Sequence, residues 1–419
     1  MTDRALPIGR QRHAEATPDP VAVMSRDEVV RLPHWQHSFA SQRKDHRHYE
    51  LVEDTIRQSF DYRCFDYRYF VIRGPAGNII AIQPFFLLDQ DLAAGAGPRT
   101  RNLVAAIRRL WPGFLGFRTL MVGCSVGEGH LDGEDDPSRH VCARLLAASL
   151  VRHARGLGAS LVVLKEFPAR DRAALQPFRD RGFTRIPSMP MTRLDIRYAD
   201  FEDYMRAAMS RGTRLKWHRK LRHAACQPAV IMSVVADATP YIAQIYPLYL
   251  QVYERSPLRF EKLTEAYLAR IGQTMPDRVR FFLWRQGSRI VAFNLCTIEG
   301  DALCSEYVGF DYRIAHEAGL YSCVVRDLVS WGIANGFRWF RSTALNYDPK
   351  LHMGAVLDPL DLYVRHANPL INLALRPLLP LFAPTRTEPV LRRFPNYGQL
   401  WADAGGTEAL PLAEARPDG

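Results

Sequence analysis

One order of predicted elements occurs twice along this 419-residue chain. Each half contains a helix, a pair of strands around a turn, a further strand, a glycine-bearing loop, a long helix and another strand. In the first half the paired strands are 65–72 and 79–87 and the long helix is 139–155. In the second half they are the hairpin 280–298 and the helix 320–334. The repeat predicts an α/β fold of two similar units that share a cleft, where substrates usually bind.

The domain organisation follows from this repeat. Residues 1–23 are polar and contain several Pro and Arg residues, which predicts a disordered tail. The N-terminal unit is predicted to span 24–198, with the strand 191–196 as its last strand. The C-terminal unit is predicted to span 199–365 and to carry the active site, and 366–419 form an apolar and basic extension and tail.

Composition limits the class of protein. With 47% hydrophobic and 24% charged residues the chain is globular, and its net charge of +11 favours anionic partners, although a basic surface without a role has the same composition. Its seven cysteines lack metal-ligand spacing, so no metal site is predicted, and their odd number argues against a disulfide framework. No apolar run is long enough to span a membrane, so we expect a cytoplasmic protein that has the option of peripheral contact with the inner membrane.

The segment from Cys304 to Tyr321 connects a predicted apolar strand to a predicted helix start. Such a junction suits an anionic ligand beside an acid/base pair. Glu306 is the candidate general base if it points inward, because burial then raises its pKa; an outward, solvated position is the alternative. Asp311 is a second catalytic candidate or a turn carboxylate. His316 is an alternative base or a surface residue.

A hydroxyl near this junction is expected to protonate the leaving group, and Tyr307 is the catalytic candidate, with Tyr312 and Tyr321 nearby. Tyr312 is also a candidate for substrate binding. Further candidates for substrate binding are Asn346 and Lys350, in a loop after an apolar strand, and His130, which follows the glycine-rich loop 123–129. Lys350 is otherwise a plain surface lysine. Because Glu128 and Asp132 would repel phosphate, the first unit is expected to be inactive or to bind the acceptor.

Several segments of the second half resemble the GNAT-like acyltransferases, specifically their two-unit FemAB-like branch. They are the basic helix 211–222, the hairpin 281–297, the segment 307–311 with Gly319 and Leu320 ahead of a helix, and the stretch 347–354. The resemblance covers about 50–363. It implies tandem GNAT-like units, each a mixed, mainly antiparallel central sheet flanked by helices.

The resemblance also implies the reaction. An N-acyltransferase of this kind has no permanently bound cofactor and uses acyl-CoA as co-substrate. The arginine/glycine-rich pyrophosphate loop of ordinary GNAT enzymes is degenerate here, so that Arg313, Gly319, Leu320 and Tyr321 are the candidates for donor binding. Some FemAB-like relatives use aminoacyl-tRNA instead, so an aminoacyltransferase acting on a peptidoglycan precursor stays open. A non-catalytic lipid- or partner-binding protein on this fold is a third alternative.

Two apolar and basic stretches, 107–117 and 369–382, favour a lipid substrate. Both are too short to span a membrane but suit a headgroup layer with arginine anchors; packing on the core or on a second subunit is the alternative. An amine acceptor, such as a sphingoid base or another lipid amine, at an anionic cytoplasmic membrane face is therefore expected, and bacterial ceramide synthases resemble the same group. The basic helix 211–222 lacks an aromatic platform, and no DNA-binding signature accompanies it.

Overall fold

The computed structural model describes residues 19–57, 65–91, 102, 105–109, 116–133, 135–256, 261–315 and 318–400. Its strands, numbered along the chain, are β1 (Val21–Met24), β2 (Asp66–Arg73), β3 (Ile79–Asp91), β4 (Gly116–Val122), β5 (Leu161–Pro168), β6 (Thr184–Pro187), β7 (Met191–Asp195), β8 (Ile231–Val235), β9 (Val279–Gln286), β10 (Arg289–Glu299), β11 (Ala302–Phe310), β12 (Trp339–Ser342), β13 (Val356–Asp358) and β14 (Leu360–His366).

The helices surround these strands. They are α1 (Arg26–Val29), α2 (His46–Thr55), α3 (Asp136–Gly156), α4 (Gln176–Asp180), α5 (Phe201–Ala208), α6 (Arg211–Ala225), α7 (Ile242–Arg255), α8 (Glu265–Thr274), α9 (Leu320–Ala334), α10 (Tyr347–His352), α11 (Pro369–Leu375) and α12 (Tyr397–Leu400). Short 3₁₀ turns occur at Pro33–His37, Ala169–Asp171, Thr239–Tyr241, Leu379–Phe382, Pro384–Thr387 and Pro389–Arg393. None of the helices in the described part of the chain combines the length and hydrophobicity that a membrane span requires.

Within the described residues the strands form two seven-stranded sheets of identical design. The first has the order β1-β2-β3-β4-β5-β14-β6 and the second β8-β9-β10-β11-β12-β7-β13. In each sheet the fourth and fifth strands are parallel and every other neighbouring pair is antiparallel. The long helices α3 and α9 connect the two parallel strands of their sheets, as a parallel crossover requires. The predicted α/β fold of two mixed, mainly antiparallel units is confirmed.

The two sheets exchange one strand each. β7 follows the first unit along the chain, but it pairs with β12 and β13 of the second sheet, so the interpretation of 191–196 as the last strand of the first unit is corrected. In return β14, which lies in the predicted C-terminal unit, inserts between β5 and β6 of the first sheet. Each sheet thus depends on a strand from the other half.

Residues 201–225, which include the basic helix noted in the sequence, form two helices rather than one. Met209 is extended, which ends α5, and the Ser210 hydroxyl accepts a hydrogen bond from the Thr213 amide at 3.2 Å, which caps the start of α6. Residues 169–180 likewise contain only the turn Ala169–Asp171 and the short helix α4 rather than one continuous helix.

One apolar core spans both units. Residues of the first sheet such as Val71 and Phe86 belong to the same buried cluster as Phe281 and Leu283 of the second sheet, with α2, α7 and α8 contributing between them. The facing sides of the two sheets are therefore packed together. Polar groups in this region lie at a buried boundary between the units, where charges interact strongly.

Candidate active site

The parallel strands β11 and β12 separate in the middle of the second sheet. Their pairing runs from Ala302 opposite Trp339 to Ser305 opposite Ser342 and then stops, while β11 continues beside β10 to Phe310. The register of β10 shifts between its residues 295 and 296, which leaves Glu306 as an extra residue on β11. A bulge of this kind redirects a side chain and often lies beside an active site. Glu306 is thus the first residue beyond the point where the strands diverge.

Glu306 faces inward and joins a buried ionic cluster between the units. Arg43, which precedes α2, donates to Glu306 and to Glu128 through separate guanidinium nitrogens. Lys44 Nζ lies 3.2 Å from Glu306 Oε2 and 3.6 Å from Glu128 Oε2. Thr297 Oγ1 donates to Glu306 at 2.5 Å. Two cations from one segment therefore bridge two carboxylates, one from each unit; we call these four charged residues the interunit quartet.

The pKa of Glu306 moves opposite to the expectation from the sequence. Burial pushes this pKa upward, but the charges of Arg43 and Lys44 and the hydrogen bond from Thr297 outweigh burial and hold it well below the ordinary value. The predicted raised pKa is therefore wrong, because the sequence gives no sign that residues 43 and 44 reach β11. A carboxylate held in its ionised form by two cations is a weak proton acceptor, so Glu306 suits an electrostatic role.

Gly127 makes room for this arrangement. It has φ +79°, and a Cβ at this position would lie 1.9 Å from Lys44 Nζ. Lys44 Nζ also donates to the Val126 carbonyl at 3.3 Å, while Lys165 Nζ donates to the Gly127 carbonyl at 2.6 Å. The glycine-rich loop of the first unit thus binds two lysines through its backbone carbonyls.

Tyr307 contacts the carboxylate of Glu261, a residue that was not predicted from the sequence. Its hydroxyl donates to Glu261 Oε1 at 3.0 Å. Burial and the nearby charge of Glu166 raise the pKa of Glu261, although Lys165 and Lys44 oppose the shift. Burial also raises the pKa of the Tyr307 hydroxyl, and Glu261 adds to that effect. The only available signal was the pair of charged residues at 261–262 before the α8 cap, which carries no recognisable spacing.

His130 lies at the first-unit side of the interunit quartet. The side chain is 2% exposed, and neither ring nitrogen makes a hydrogen bond within the described residues, with Nε2 3.5 Å from Glu128 Oε1. Burial, helped by the charge of Arg170, lowers its pKa to about 3, so the ring is neutral at physiological pH. His130, Glu306 and Tyr307 are the candidates from the sequence that the structure brings to one region.

Asp311 and its neighbours lie at the far end of β11. The Asp311 carboxylate is fully buried and pairs with Arg289 and Arg313, and it accepts the Arg313 backbone amide at 3.2 Å. These are the bonds of a turn carboxylate. Tyr312 is exposed beneath the guanidinium of Arg255, 4.3 Å from the ring centroid. His316 lies outside the described residues.

The start of α9 forms the candidate donor-binding corner. Gly319 caps the helix with φ +59°, and a Cβ there would meet the Cβ of Ala224 on α6 at 3.2 Å. Leu320 is buried, and burial raises the pKa of Tyr321 to about 12. Helix α6, with its exposed basic residues, thus packs directly over the start of α9. That placement surrounds the helix start with positive charge.

Lys350 supports the diverging strands through the backbone. Its Nζ donates to the carbonyls of Thr343 at 2.5 Å and Leu345 at 2.9 Å, and the Thr343 hydroxyl in turn donates to the Glu306 carbonyl at 3.3 Å. Burial lowers the pKa of Lys350 to about 7. Asn346, with φ 51°, caps α10 in the same loop. No group of three His, Cys, Asp or Glu side chains among the described residues is placed to hold a metal ion.

Comparison with known proteins identifies the enzyme class. Residues 211–350, which include the diverging strands and both Tyr307 and Glu261, match the family described as Acetyltransferase (GNAT) domain. Residues 211–350 therefore form a GNAT acyltransferase domain, which makes the protein a transferase. The repeated sheet design agrees with the arrangement of tandem units that the sequence indicated. The chain has no match among curated proteins.

Solved structures of similar overall design differ widely in sequence. FemX is 11% identical with a TM-score of 0.47, covering 76% of this chain and 91% of its own. L-PGS from Bacillus licheniformis is 13% identical with a TM-score of 0.46, covering 78% and 95%. A tandem GNAT protein from the clavulanic acid biosynthesis pathway is 13% identical with a TM-score of 0.42, covering 73% and 84%. Similarity at this level says nothing about substrate.

Proposed function

We propose that the protein transfers an acyl group from acyl-CoA to an amine in the region where β11 and β12 diverge, with Glu261 and Tyr307 as its catalytic residues. The observation that carries the proposal is the hydrogen bond between Tyr307 and Glu261 at 3.0 Å, next to the bulge at Glu306. A carboxyl group with a raised pKa is suited to accept a proton near neutral pH.

The reaction requires two protons to leave the acceptor nitrogen and one to be supplied to the leaving thiolate. Glu261 takes a proton from the acceptor ammonium, and the free amine attacks the thioester carbonyl carbon to form a carbon–nitrogen bond. When the carbon–sulfur bond breaks, the thiolate takes the proton of the Tyr307 hydroxyl. Protonated Glu261 then restores that proton through the existing hydrogen bond, and the second proton of the nitrogen passes to solvent as the amide forms, so the protons balance.

Glu306 and its cationic partners hold the site in position and transfer no proton. The interunit quartet fixes Glu306 at the bulge and thereby fixes the adjacent Tyr307. Lys350 and Thr343 restrain the same point through the Glu306 carbonyl. Asp311, with its carboxylate bound to Arg289 and Arg313, shapes the turn toward α9. His130 and Asn346 remain candidates for acceptor contact.

The donor is proposed to lie along the path from the diverging strands to α9. Arg313, Gly319, Leu320 and Tyr321 border this path, and the basic face of α6 supplies charge for a polyanionic nucleotide. Tyr312, exposed at the same turn, contacts the bound substrate in this arrangement. No permanently bound cofactor is required.

The acceptor is proposed to be a lipid amine, for example a sphingoid base, taken up at the cytoplasmic face of a membrane, which would make the protein similar in activity to bacterial ceramide synthases. Support comes from a run of exposed apolar side chains between 370 and 382. A second candidate is aminoacyl transfer from aminoacyl-tRNA to a peptidoglycan precursor, which the exposed basic residues of α6 favour because they suit a large polyanion.

The test follows thiol release when purified protein is incubated with acyl-CoA and a panel of amines that includes sphinganine. Thiol release that needs an amine and is lost in Glu261→Gln supports the proposal. Turnover that depends strictly on aminoacyl-tRNA, with no thiol released from any acyl-CoA, selects the second candidate. If neither donor is consumed and the Glu261→Gln and Tyr307→Phe variants keep the cellular role, the protein is a non-catalytic binder.

A further inference from the structure

An exposed apolar surface lies on the first unit, after β14. Its large side chains are between 45% and 77% exposed: Leu370, Ile371, Leu373, Leu378, Leu381 and Phe382. We call these six residues the apolar surface. Residues 362–387 contain no Asp or Glu, whereas Arg376 and Arg386 are exposed within that range. Large apolar surfaces that face water mark sites of interaction.

The apolar surface is firmly attached to the first sheet. Asn372 of α11 donates to the Gly182 carbonyl at 3.0 Å and accepts the His366 amide at 3.0 Å. The turn Leu379–Phe382 continues from α11, and Leu379 packs on the core. The ring of Phe117, at the end of the other apolar and basic stretch, lies 6.1 Å from the His366 ring. Phe117 therefore lies beside the end of β14, from which the chain continues into α11.

Two arginines on β6 and β14 form no ion pair within the described residues, although the charge of Asp361 acts on Arg185. Arg185 of β6, directly opposite Tyr363 of β14, is 9% exposed, and its Nε and Nη2 have no hydrogen bond partner in the described part of the chain. Arg365 Nε and the Tyr363 hydroxyl are buried without a partner as well. Other arginines crowd them, and Arg155 and Arg181, together with burial, lower the pKa of Arg365.

An unpaired buried guanidinium is costly unless an anion reaches it. These cationic groups, together with Arg376 and Arg386 exposed among the apolar side chains, favour a negatively charged partner, and the apolar surface favours an apolar one. A second copy of the chain would bring arginines against arginines in a symmetric contact, which is unfavourable. A bilayer of anionic phospholipid supplies phosphates and an apolar layer together.

We propose that the apolar surface docks on an anionic phospholipid membrane, with its side chains at the boundary of headgroups and acyl chains and with Arg185 and Arg365 on the lipid phosphates. The inference deepens the proposed function, which takes up the acceptor at a membrane face on the same exposed residues, but docking itself requires no catalysis. Binding is measured without donor or acceptor, so its failure is distinguishable from a failure of acyl transfer.

The first experiment measures co-sedimentation of the full chain with vesicles of phosphatidylcholine alone or mixed with phosphatidylglycerol. We expect clear binding to the mixed vesicles and much weaker binding to phosphatidylcholine. Phe382→Ser and Leu370→Ser should each weaken binding by about tenfold, because each removes one large apolar group from the lipid contact. Ile231→Ser, which changes a 69% exposed residue on the edge of the second sheet, is the matched control and should bind as the parent does.

The second experiment replaces Arg185. We expect the replacement to weaken vesicle binding and to increase stability against urea. Arg185→Met should weaken binding to the mixed vesicles by about fivefold and should raise the midpoint of urea unfolding, because it removes a buried guanidinium whose Nε and Nη2 lack a hydrogen-bond partner in the described residues. Arg206→Met, on exposed and ion-paired Arg206 of α5, should change neither quantity. A purely structural role for Arg185 predicts a lower midpoint and unchanged binding.

Three results would overturn the proposal. They are the absence of binding to mixed vesicles, binding that Phe382→Ser leaves unchanged, and a lower unfolding midpoint for Arg185→Met without loss of binding. Light scattering provides the check on self-association. A concentration-dependent dimer that Phe382→Ser converts to monomer assigns the apolar surface to a second copy of the chain instead.

Discussion

Tyr307 and Glu261 are 46 positions apart in the chain, yet the Tyr307 hydroxyl donates to the Glu261 carboxylate at 3.0 Å. Tyr307 lies on β11 just beyond the bulge, whereas Glu261 precedes α8. The contact joins a proton donor to a carboxyl group of raised pKa inside the GNAT match. Glu306, one residue away on the same strand, is ionised and held by cations. Adjacent residues on one strand therefore have different chemistry.

Glu261→Gln tests the assignment of the base. The variant should lose about 10²-fold or more in kcat, because a carboxylate that accepts a proton is replaced by an amide that cannot. For the parent, kcat/KM should rise with pH through the raised pKa of Glu261, since the base works only when deprotonated, and this rise should vanish in the variant. Glu265→Gln, on an exposed residue at the start of α8, is the control. Equal activities for both variants would reject Glu261 as the base.

Gly127→Ala tests the contact between the glycine-rich loop and Lys44. Gly77→Ala is a close match, because Gly77 has φ +80° and nothing within 4 Å of a Cβ, whereas Gly127 has φ +79° and Lys44 Nζ in that place. Gly77→Ala should cost about 1 kcal/mol of unfolding free energy from φ alone. Gly127→Ala should cost about 3 kcal/mol, because the ammonium must leave its partners. Equal losses in urea unfolding would argue that Lys44 moves freely.

The pH dependence of stability reports the ionic bonds of Glu306. Its pKa is depressed in the folded protein, so it contributes stability above its unfolded value of about 4.3, and that stability is lost as pH falls toward the folded value. Glu306→Gln should lower the unfolding free energy at pH 7 by about 3 kcal/mol and should flatten its decrease in acid. Urea unfolding between neutral and acid pH measures both effects, with exposed Glu202→Gln as control. Parallel curves for parent and variant would contradict the pairing.

Lys350 should change the free energy of unfolding in the alkaline range, whereas Glu306 changes it in acid. Because its folded pKa is lowered to about 7, the unfolded chain binds the extra proton between that value and about 10.4. Stability contributed by this site therefore rises with pH across the window. The difference in unfolding free energy between the parent and Lys350→Met should increase from pH 7 to pH 9. Lys216→Met, on exposed Lys216 of α6, is the control, and a flat difference would show that the ammonium is solvated.

The repeat of elements was visible in the sequence because each element has its own apolar period and its own turn residues. The strand pair around residues 286–288 and the helix that begins at 320 are therefore close to their predicted bounds. The exchange of β7 and β14 was not visible in the sequence, because each segment has the pattern of a strand whichever sheet it joins. Pairing partners depend on long-range packing that no local pattern records.

The candidate site, like the fold, was predictable only in part from the sequence. Tyr307 and Glu306 were named as candidates because they lie near the end of an apolar strand before a helix, where sites are common. Arg43 and Glu261 were missed, because each reaches the site from a loop far away in the chain. The pKa shift of Glu306 was predicted with the wrong sign because Arg43 was missed. Burial alone raises a carboxyl pKa, and only the unseen cations reverse that shift.

The exchange of β7 and β14 also bears on synthesis at the ribosome. The first sheet has a gap between β5 and β6 until residue 366 has been made, so the N-terminal half waits for nearly the whole chain before its central hydrogen bonds are complete. We expect neither half to fold alone when the two halves are expressed from separate genes. Two separately expressed fragments would have to trade strands on meeting, as partners in a domain swap do.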